Sequence, residues 1–289
     1  MYKRQELYAS STTGSHSVRG SMLTTFRAAG GATGTLGLPT GDSGKTPDGV
    51  ATYQQFSGGA VYSTATTGTR VVPAALRAAW SANGWEKGPL GYPVGDAGTT
   101  PDGLGRYQLF EHGSIYSTRA TGAHALTGPV LNAWAGTSWE RGPLGFPTTD
   151  VIGTPDGKGS YAYFQGGAVY WSKATGAHVM LNSVLDEWAD TGWEKGSLGY
   201  PVSDQASTPD GVGQYVHFQK GSIYVTADTG AHALPIVVRD AWAATGWERG
   251  SLGYPTSDPT PTAGGTRTTF QRGWIDVSAA TGTTTTHVN

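Results

Sequence analysis

Short aromatic-rich runs recur along the chain and are separated by glycine-containing turns. In one representative stretch, Arg106–Phe110 and Ser114–Thr118 are rich in aromatic and β-branched residues, which predicts two strands joined by a turn. A second turn closes at Gly122, and Ala123–Leu126 predicts a short third strand. The pattern therefore predicts a β-hairpin or a three-stranded meander.

A short helix is predicted after each meander. Pro129 favours a helix start, because the N–H that proline lacks has no partner in the first turn of a helix. Val130 and Trp134 lie four residues apart and so share one helix face. The same pair recurs as Met22/Phe26, Leu76/Trp80, Val184/Trp188 and Val238/Trp242. Each helix is predicted to be about two turns long and to bury this face.

The whole pattern repeats at a fixed period of 54 residues. The tetrapeptide Leu-Gly-x-Pro occupies residues 36–39, 90–93, 144–147, 198–201 and 252–255. Thr-Pro-Asp-Gly, a later Phe, a Val/Ile-Tyr pair and Thr-Gly recur with it in four copies, and the fifth copy is degenerate. Such periodicity indicates one supersecondary unit per repeat, which buries its apolar faces only by stacking on its neighbours.

The N-terminus is in phase with the repeats. Tyr8 and His16 lie 108 residues before Tyr116 and His124, so the chain begins inside a repeat. Residues 1–5 match the unit poorly and are interpreted as a scar or truncation point, which leaves residues 6–289 as a single repeat domain.

The sequence predicts an α+β repeat protein of five tandem units. Two arrangements fit the repeats, a closed pseudo-five-fold, propeller-like disc and an open solenoid. The disc is favoured, because pairing of terminal strands would account for a chain that starts late in one unit and ends in a divergent one.

Composition excludes several classes of function. Nineteen Lys and Arg against 21 Asp and Glu give a net charge of −2, which disfavours a nucleic-acid binder. The chain has no cysteine, so thiol chemistry and cysteine metal sites are excluded, and no cofactor or metal is expected. No apolar run is long enough for membrane insertion, and no signal peptide is seen at the N-terminus.

The motifs resemble those of the LGFP repeat family over essentially the whole chain. The resemblance rests on Leu144–Pro147 and its copies, on the preceding Gly-Trp-Glu-Lys/Arg-Gly segments, and on the Thr-Gly-x-His segments. It implies a secreted module, associated with the cell wall of actinobacteria and some other organisms, that binds envelope polysaccharide or peptidoglycan. It also implies that a separate domain, of an amidase or similar wall enzyme, carries any catalysis. The module itself is expected to be a monomer and not an enzyme.

Two tryptophan columns have different expected roles. The helical column is expected to pack in the core, since Phe26 replaces Trp in one copy. The second column lies in glycine-bounded loops, where Gly31 replaces Trp in one copy. Its members are Trp85, Trp139, Trp193 and Trp247. These rings are either sugar-stacking platforms or plugs between units, and their exposure separates the two hypotheses.

Each loop tryptophan is followed by an acid and a cation. The acids are Glu86, Glu140, Glu194 and Glu248, and the cations are Lys87, Arg141, Lys195 and Arg249. They are candidates either for hydrogen bonding to a ligand or for weak ion pairs that set the register between repeats.

Two further columns are expected to be structural. The Asp of Thr-Pro-Asp-Gly is explained by turn chemistry, with calcium as the less favoured alternative. The His column, which includes His124, is expected to hydrogen-bond at the third strand, because a zinc site needs ligands that converge. No nucleophile–base constellation is recognisable.

Three hypotheses for function follow: a multivalent wall-binding module, a structural spacer or protein-interaction disc, and part of a wall hydrolase whose catalytic domain is missing.

Overall fold

A computed structural model describes residues 5–289, and in this range it contains five α-helices, five 3₁₀ turns and 22 strands. The helices are α1 Gly20–Ala28, α2 Ala74–Ala82, α3 Gly128–Gly136, α4 Asn182–Asp190 and α5 Ile236–Ala244. The 3₁₀ turns are Gly31–Thr33, Trp85–Lys87, Trp139–Arg141, Trp193–Lys195 and Trp247–Arg249. No helix in the described range is long and apolar enough to cross a membrane.

The strands form six antiparallel sheets, each a meander in chain order. The first sheet has two strands, β1 Gln5–Ser10 and β2 Gly14–Arg19. The second has β3 Gly44–Lys45, β4 Thr52–Phe56, β5 Gly59–Thr64 and β6 Gly68–Pro73. The third has β7 Gly98–Thr99, β8 Gly105–Phe110, β9 Gly113–Thr118 and β10 Gly122–Thr127. The fourth has β11 Ile152–Gly153, β12 Gly159–Phe164, β13 Gly167–Ser172 and β14 Gly176–Leu181. The fifth has β15 Ala206–Ser207, β16 Gln214–Phe218, β17 Gly221–Thr226 and β18 Gly230–Pro235. The sixth has β19 Thr260–Thr262, β20 Gly265–Phe270, β21 Gly273–Ser278 and β22 Thr284–Val288.

Contacts divide the chain into two compact units. The first runs to Asn132 and adds residues 139–141 and 146–151, and the second contains residues 133–138, 142–145 and 152–289. In the first unit, α1 packs on the first and second sheets and α2 on the second and third. In the second unit, α4 packs on the fourth and fifth sheets and α5 on the fifth and sixth.

A sheet with a helix on each face buries both faces of its central strand. In β5, Val61 packs with Phe26 of the preceding helix, whereas Tyr62 packs on Trp80 of the following helix. Both β5 side chains are buried. This explains why such strands are continuously apolar instead of alternating.

The Leu-Gly-x-Pro motif joins each helix to the next sheet. In the copy at residues 90–93, Leu90 is fully buried and the carbonyl oxygen of Gly91 accepts a hydrogen bond from the indole of Trp80 at 3.1 Å. Pro93 forms a β-bridge with Phe110. Gly91 has a φ of +71°, and a Cβ there would lie 2.5 Å from the Glu111 carboxylate, so another residue would strain the backbone and displace the Glu111 side chain.

The predicted unit is confirmed in outline. The three-stranded meander and the helix are present, and a short fourth strand precedes them in each of the last five sheets. Residues 1–4, part of the interpreted scar, lie outside the described residues, whereas Gln5 pairs with Arg19 in the first sheet. The closed disc stays a prediction.

Candidate functional site

Each loop tryptophan lies in a strained backbone turn directly after a helix. Trp85, Trp139, Trp193 and Trp247 have φ values of 56–59°. A bulky residue rarely adopts this left-handed conformation, which costs on the order of 1–3 kcal/mol. Gly31, at the same position in the first copy, has a φ of 62° without that cost. The Trp-to-Gly replacement noted in the sequence is therefore explained by the left-handed backbone conformation of this position as well as by the loss of the side chain.

The strained turn places the indole beside a pair of tyrosines on the preceding sheet. In the fourth sheet, Tyr161 and Tyr170 pair across β12 and β13 with ring centroids 4.7 Å apart and an interplanar angle of 5°. Trp193 continues the series at 6.2 Å from Tyr170 and an angle of 16°. The three rings are thus nearly parallel, and Pro155, from the turn before β12, lines the same cavity.

The same cavity recurs at other copies, and each is named after its tryptophan. The Trp85 pocket and the Trp193 pocket each enclose about 200 Å³, and the Trp247 pocket about 300 Å³. Around Trp139 the same three aromatic positions come together, with Tyr116 6.1 Å from Trp139 and 5.7 Å from Tyr107. Cavities of this size suit a single sugar ring or a single side group, since drug-sized ligands occupy larger ones.

The loop tryptophans are neither fully buried nor free of the core. Trp139 is 37% exposed, and the other three rings are half-buried. Trp85, Trp193 and Trp247 also meet the buried helical tryptophan of the same copy edge-to-face, at 5.3 Å in each case. Each such ring therefore has one edge fixed by the core, and part of its surface remains accessible.

The acids of the Trp-Glu-Lys/Arg segments point inward and the cations point outward. Glu140, Glu194 and Glu248 are 8–9% exposed, Glu86 is half-buried, and Glu86, Glu194 and Glu248 line the pockets of their copies. The cations Lys87, Arg141, Lys195 and Arg249 are exposed. Within residues 5–289 no salt bridge joins these acids to these cations, and Arg249 instead donates to the carbonyl oxygen of Pro209 at 2.6 Å.

Burial keeps the pocket tyrosines neutral. It raises the pKa of Tyr62, Tyr116, Tyr170 and Tyr224, and the negative charge of the nearby Glu column acts in the same direction. In the Trp247 pocket, burial lowers the pKa of His217, whose Nδ1 lies 2.7 Å from the Ser222 hydroxyl. The tyrosine rings that line these pockets are therefore uncharged at neutral pH.

The family model described as LGFP repeat matches this chain in five segments, residues 36–88, 90–142, 144–196, 198–250 and 252–288. The chain belongs to the LGFP repeat family. A comparison with curated proteins finds no match.

Several solved structures resemble the chain weakly. The extracellular domain of a one-component system from B. thetaiotaomicron is 11% identical over 85% of this chain, which spans 29% of that chain, with a TM-score of 0.18. A plant lectin from cicer arietinum is 13% identical over 61% of this chain and 81% of that one, also at 0.18. A hemopexin fold protein from cow pea is 13% identical, and the match covers 68% of this chain and 92% of that one with a TM-score of 0.18. TM-scores this low do not establish a shared fold.

The helical tryptophans of the LGFP repeats form the core, as predicted. Trp80, Trp134, Trp188 and Trp242 are fully buried, and so is Phe26. Each of the four indoles donates to the glycine carbonyl of the next Leu-Gly-x-Pro motif, at 2.9–3.2 Å. The indole N–H is thus in use wherever it is present, and Phe26 supplies only bulk.

The His and Asp columns of the LGFP repeats hydrogen-bond as predicted. His124 Nε2 lies 2.7 Å from the Thr121 carbonyl oxygen, and its Nδ1 lies 3.2 Å from Asp150, which also accepts from the Ala125 amide at 2.9 Å. In the turn column, Asp156 accepts from Thr154 at 2.8 Å and from the Lys158 amide at 2.9 Å. These oxygens already have protein donors, which accounts for both columns without calcium.

The two tyrosine columns are part of the site although the sequence did not single them out. The first contains Tyr53, Tyr107, Tyr161 and Tyr215, and the second Tyr62, Tyr116, Tyr170 and Tyr224. Their recurrence at the repeat period was visible, but cross-strand pairing beside a loop that follows the next helix could be seen only in the structure.

Proposed function

We propose that the LGFP repeats form a non-catalytic, multivalent module that attaches to the cell wall, with envelope polysaccharide or peptidoglycan as the ligand. The observation that carries the proposal is the strained loop tryptophan, which recurs in four copies beside the same tyrosine pair. Strained backbone is concentrated at binding and catalytic sites, where it holds a side chain in one orientation.

The shape and number of the pockets support a polymeric ligand. Each pocket offers aromatic faces, and the flat apolar face of a sugar ring packs on such surfaces. A pocket of about 200–300 Å³ contacts too little of a ligand to bind it tightly alone. Several equivalent sites on one chain bind a repeating polymer more strongly through effective concentration.

Family membership supports a secreted, wall-associated protein. The LGFP repeats account for residues 36–288, and the pockets lie within them. We infer that any hydrolysis of the wall belongs to another domain, since the aspartate and histidine columns of the repeats are engaged in structural hydrogen bonds.

The alternative is a structural spacer or protein-interaction module. The edge-to-face contacts of Trp85, Trp193 and Trp247 with the core favour it, because such a contact would stabilise each repeat without any ligand. The two hypotheses differ in whether removal of the loop rings abolishes wall binding in a protein that stays folded.

Sedimentation with insoluble wall tests the proposal. The test variant carries Trp85→Gly, Trp139→Gly, Trp193→Gly and Trp247→Gly. Glycine is preferable to alanine because the position has a left-handed φ, and Gly31 already occupies it in the first copy. The wild type is expected to sediment with purified sacculi, and the folded variant is expected to remain in the supernatant.

The matched control removes apolar side chains elsewhere. Val50, Leu104 and Val212 are 57–75% exposed on turns outside the pockets, and their joint replacement by alanine should leave sedimentation unchanged. The same assay with sacculi stripped of their secondary polysaccharide shows whether that polysaccharide is the ligand. Equal sedimentation of wild type and the four-glycine variant would contradict the proposal and favour the structural role.

A further inference from the structure

One of the pockets already contains a cation supplied by the chain itself. Arg77 projects from α2, and its guanidinium carbon lies 5.0 Å from the centroid of the Trp85 ring. Its Nε is buried and has no hydrogen-bond partner. Burial raises the pKa of the nearby Tyr62 phenol, and the Arg77 guanidinium opposes that effect. Ring faces therefore take the place of part of the water around this cation.

The equivalent helix position differs between copies. It is Arg77 in the Trp85 copy, Leu131 in the Trp139 copy, Leu185 in the Trp193 copy and Arg239 in the Trp247 copy. Arg239 is paired with its neighbour Asp240 at 2.7 Å. Leu185 is buried in the hydrophobic cluster that contains Tyr170 and against which Trp193 packs. Within residues 5–289 no cation lies over the Trp193 ring, so this pocket has the walls of a cation site without its own cation.

The Trp193 pocket also contains a buried negative charge. Glu194 is 9% exposed, lines the cavity, and forms no salt bridge with any residue in the described range. Burial and then the neighbouring Tyr163 raise the pKa of Tyr161 and of Tyr170, and the charge of Glu194 acts in the same direction. A buried carboxylate without a counter-charge is costly, and a bound cation would compensate it. Lys195 is the one other charged residue that lines this cavity, and it is exposed.

We propose that the Trp193 pocket binds a protonated amine, in the place that the Arg77 guanidinium takes in the Trp85 pocket. The aromatic faces of Tyr161, Tyr170 and Trp193 and the carboxylate of Glu194 form the site. This inference rests on the proposed function, and it names the ligand group as the free amine of an amino sugar or of a wall peptide. Both sources offer the same ammonium chemistry.

Paired probes that differ in charge test the proposal. Glucosamine and N-acetylglucosamine are titrated separately into protein labelled with ¹⁵N on the indoles, and N-α-acetyl-lysine amide represents a peptide amine. Glucosamine is expected to shift the Trp193 indole signal with an affinity about tenfold higher than that of N-acetylglucosamine. A stronger response to the lysine derivative than to glucosamine would assign the amine to the peptide.

Three variants make the test specific. Glu194→Gln keeps the shape of the site and should weaken glucosamine binding about tenfold. Leu185→Arg should abolish the Trp193 response, because the introduced guanidinium would fill the site as Arg77 does. Arg77→Leu should create a new response at Trp85. The reciprocal swap controls for folding, since one variant loses a site and the other gains one.

The outcomes separate this inference from the proposed function. Equal responses to glucosamine and N-acetylglucosamine, or unchanged binding in Leu185→Arg, would overturn the cation site and leave a neutral sugar pocket. No response to any of the amines would overturn it as well, and wall sedimentation that still depends on the loop tryptophans would then preserve the proposed function.

Discussion

At the scale of single residues, the left-handed turn after each helix explains why a glycine recurs there and why its one replacement matters. The residue before the loop tryptophan is Gly84, Gly192 or Gly246, and Gly30 precedes Gly31 in the first copy; these glycines have φ of 82–95°. In the third copy it is Ser138, with φ of 73°. A side chain in this region collides with its own backbone, whereas glycine adopts it freely. The turn is thus formed at a cost in that copy.

Replacement of Ser138 by glycine is expected to stabilise the protein. The free energy of unfolding should rise by about 0.5–1 kcal/mol, because the strain at the αL position is released. Urea denaturation of wild type and Ser138→Gly measures the difference. The reverse change, Gly192→Ser, serves as the matched control and should lower stability by about 1 kcal/mol. Two neutral substitutions would show that this turn carries no strain.

At the scale of elements, helix α4 carries a carboxylic acid at a half-buried position. Glu187 stands where Ala79 and Ala241 stand in other copies. Burial raises its pKa to about 7, and the neighbouring charge of Asp258 acts in the same direction. Hydrogen bonds from His232 and the Ala233 amide lower the pKa of Asp258 against the opposing effect of burial. Below about pH 7, Glu187 is therefore the protonated member of the pair and Asp258 the charged one.

This pair makes stability depend on pH. Because the pKa of Glu187 is higher in the folded protein than its usual 4.5, its contribution is fully present below pH 4.5 and is lost as pH rises through about 7. Glu187→Gln mimics the protonated form. It should match wild type below pH 4.5 and exceed it by on the order of 1 kcal/mol at pH 8, a figure reduced for the partial exposure of the group.

Urea midpoints from pH 4 to pH 8 measure this effect. Asp186→Asn, at an exposed carboxylate on the same helix, is the control and should follow the wild-type profile. A Glu187→Gln profile parallel to that of wild type over the whole range would show that Glu187 is not protonated in the folded protein.

The strands and helices of each unit could largely be predicted from the sequence, because the same pattern recurs in several copies. Five copies show the helix pair Leu76/Trp80 and its equivalents, so periodicity alone identifies the buried face. The two-residue strands such as Gly44–Lys45 were not predictable, because they contain no apolar pattern and exist only through pairing with the next strand. The inward position of Glu194 was likewise hidden, since sequence alone does not show how a 3₁₀ turn orients its side chains.

At the scale of the whole molecule, side chains are less buried in the terminal sheets than at the equivalent positions of the interior repeats. In β1, Leu7 is 73% exposed, whereas the equivalent Val61 and Ile115 are fully buried. In β21 the position equivalent to Tyr224 is Asp276, which is paired with Arg267 at 2.7 Å. Buried and exposed side chains alternate along these strands, because the terminal sheets pack a helix on one face. Burial of both faces in the interior copies therefore depends on stacking between repeats and not on the single unit.

The binding site also depends on the repeat as a whole. A pocket needs tyrosines from one sheet and a tryptophan from the turn after the following helix, so a single sheet cannot form it. The number of pockets is therefore set by the number of sheets that have such a helix after them. Sequence could identify the loop tryptophans, but the tyrosines became candidates only when the structure showed their faces together.

The most direct test of wall binding through these pockets is a titration followed at the indole N–H signals. The protein has ten tryptophans, of which four are loop residues and four are fully buried helical ones. Solubilised wall polysaccharide is added to indole-labelled protein. The signals of Trp85, Trp139, Trp193 and Trp247 should shift in a saturable way, while those of the buried helical tryptophans should remain in place. Loop signals that stay unchanged at saturating polysaccharide, or shifts confined to other tryptophans, would contradict the account.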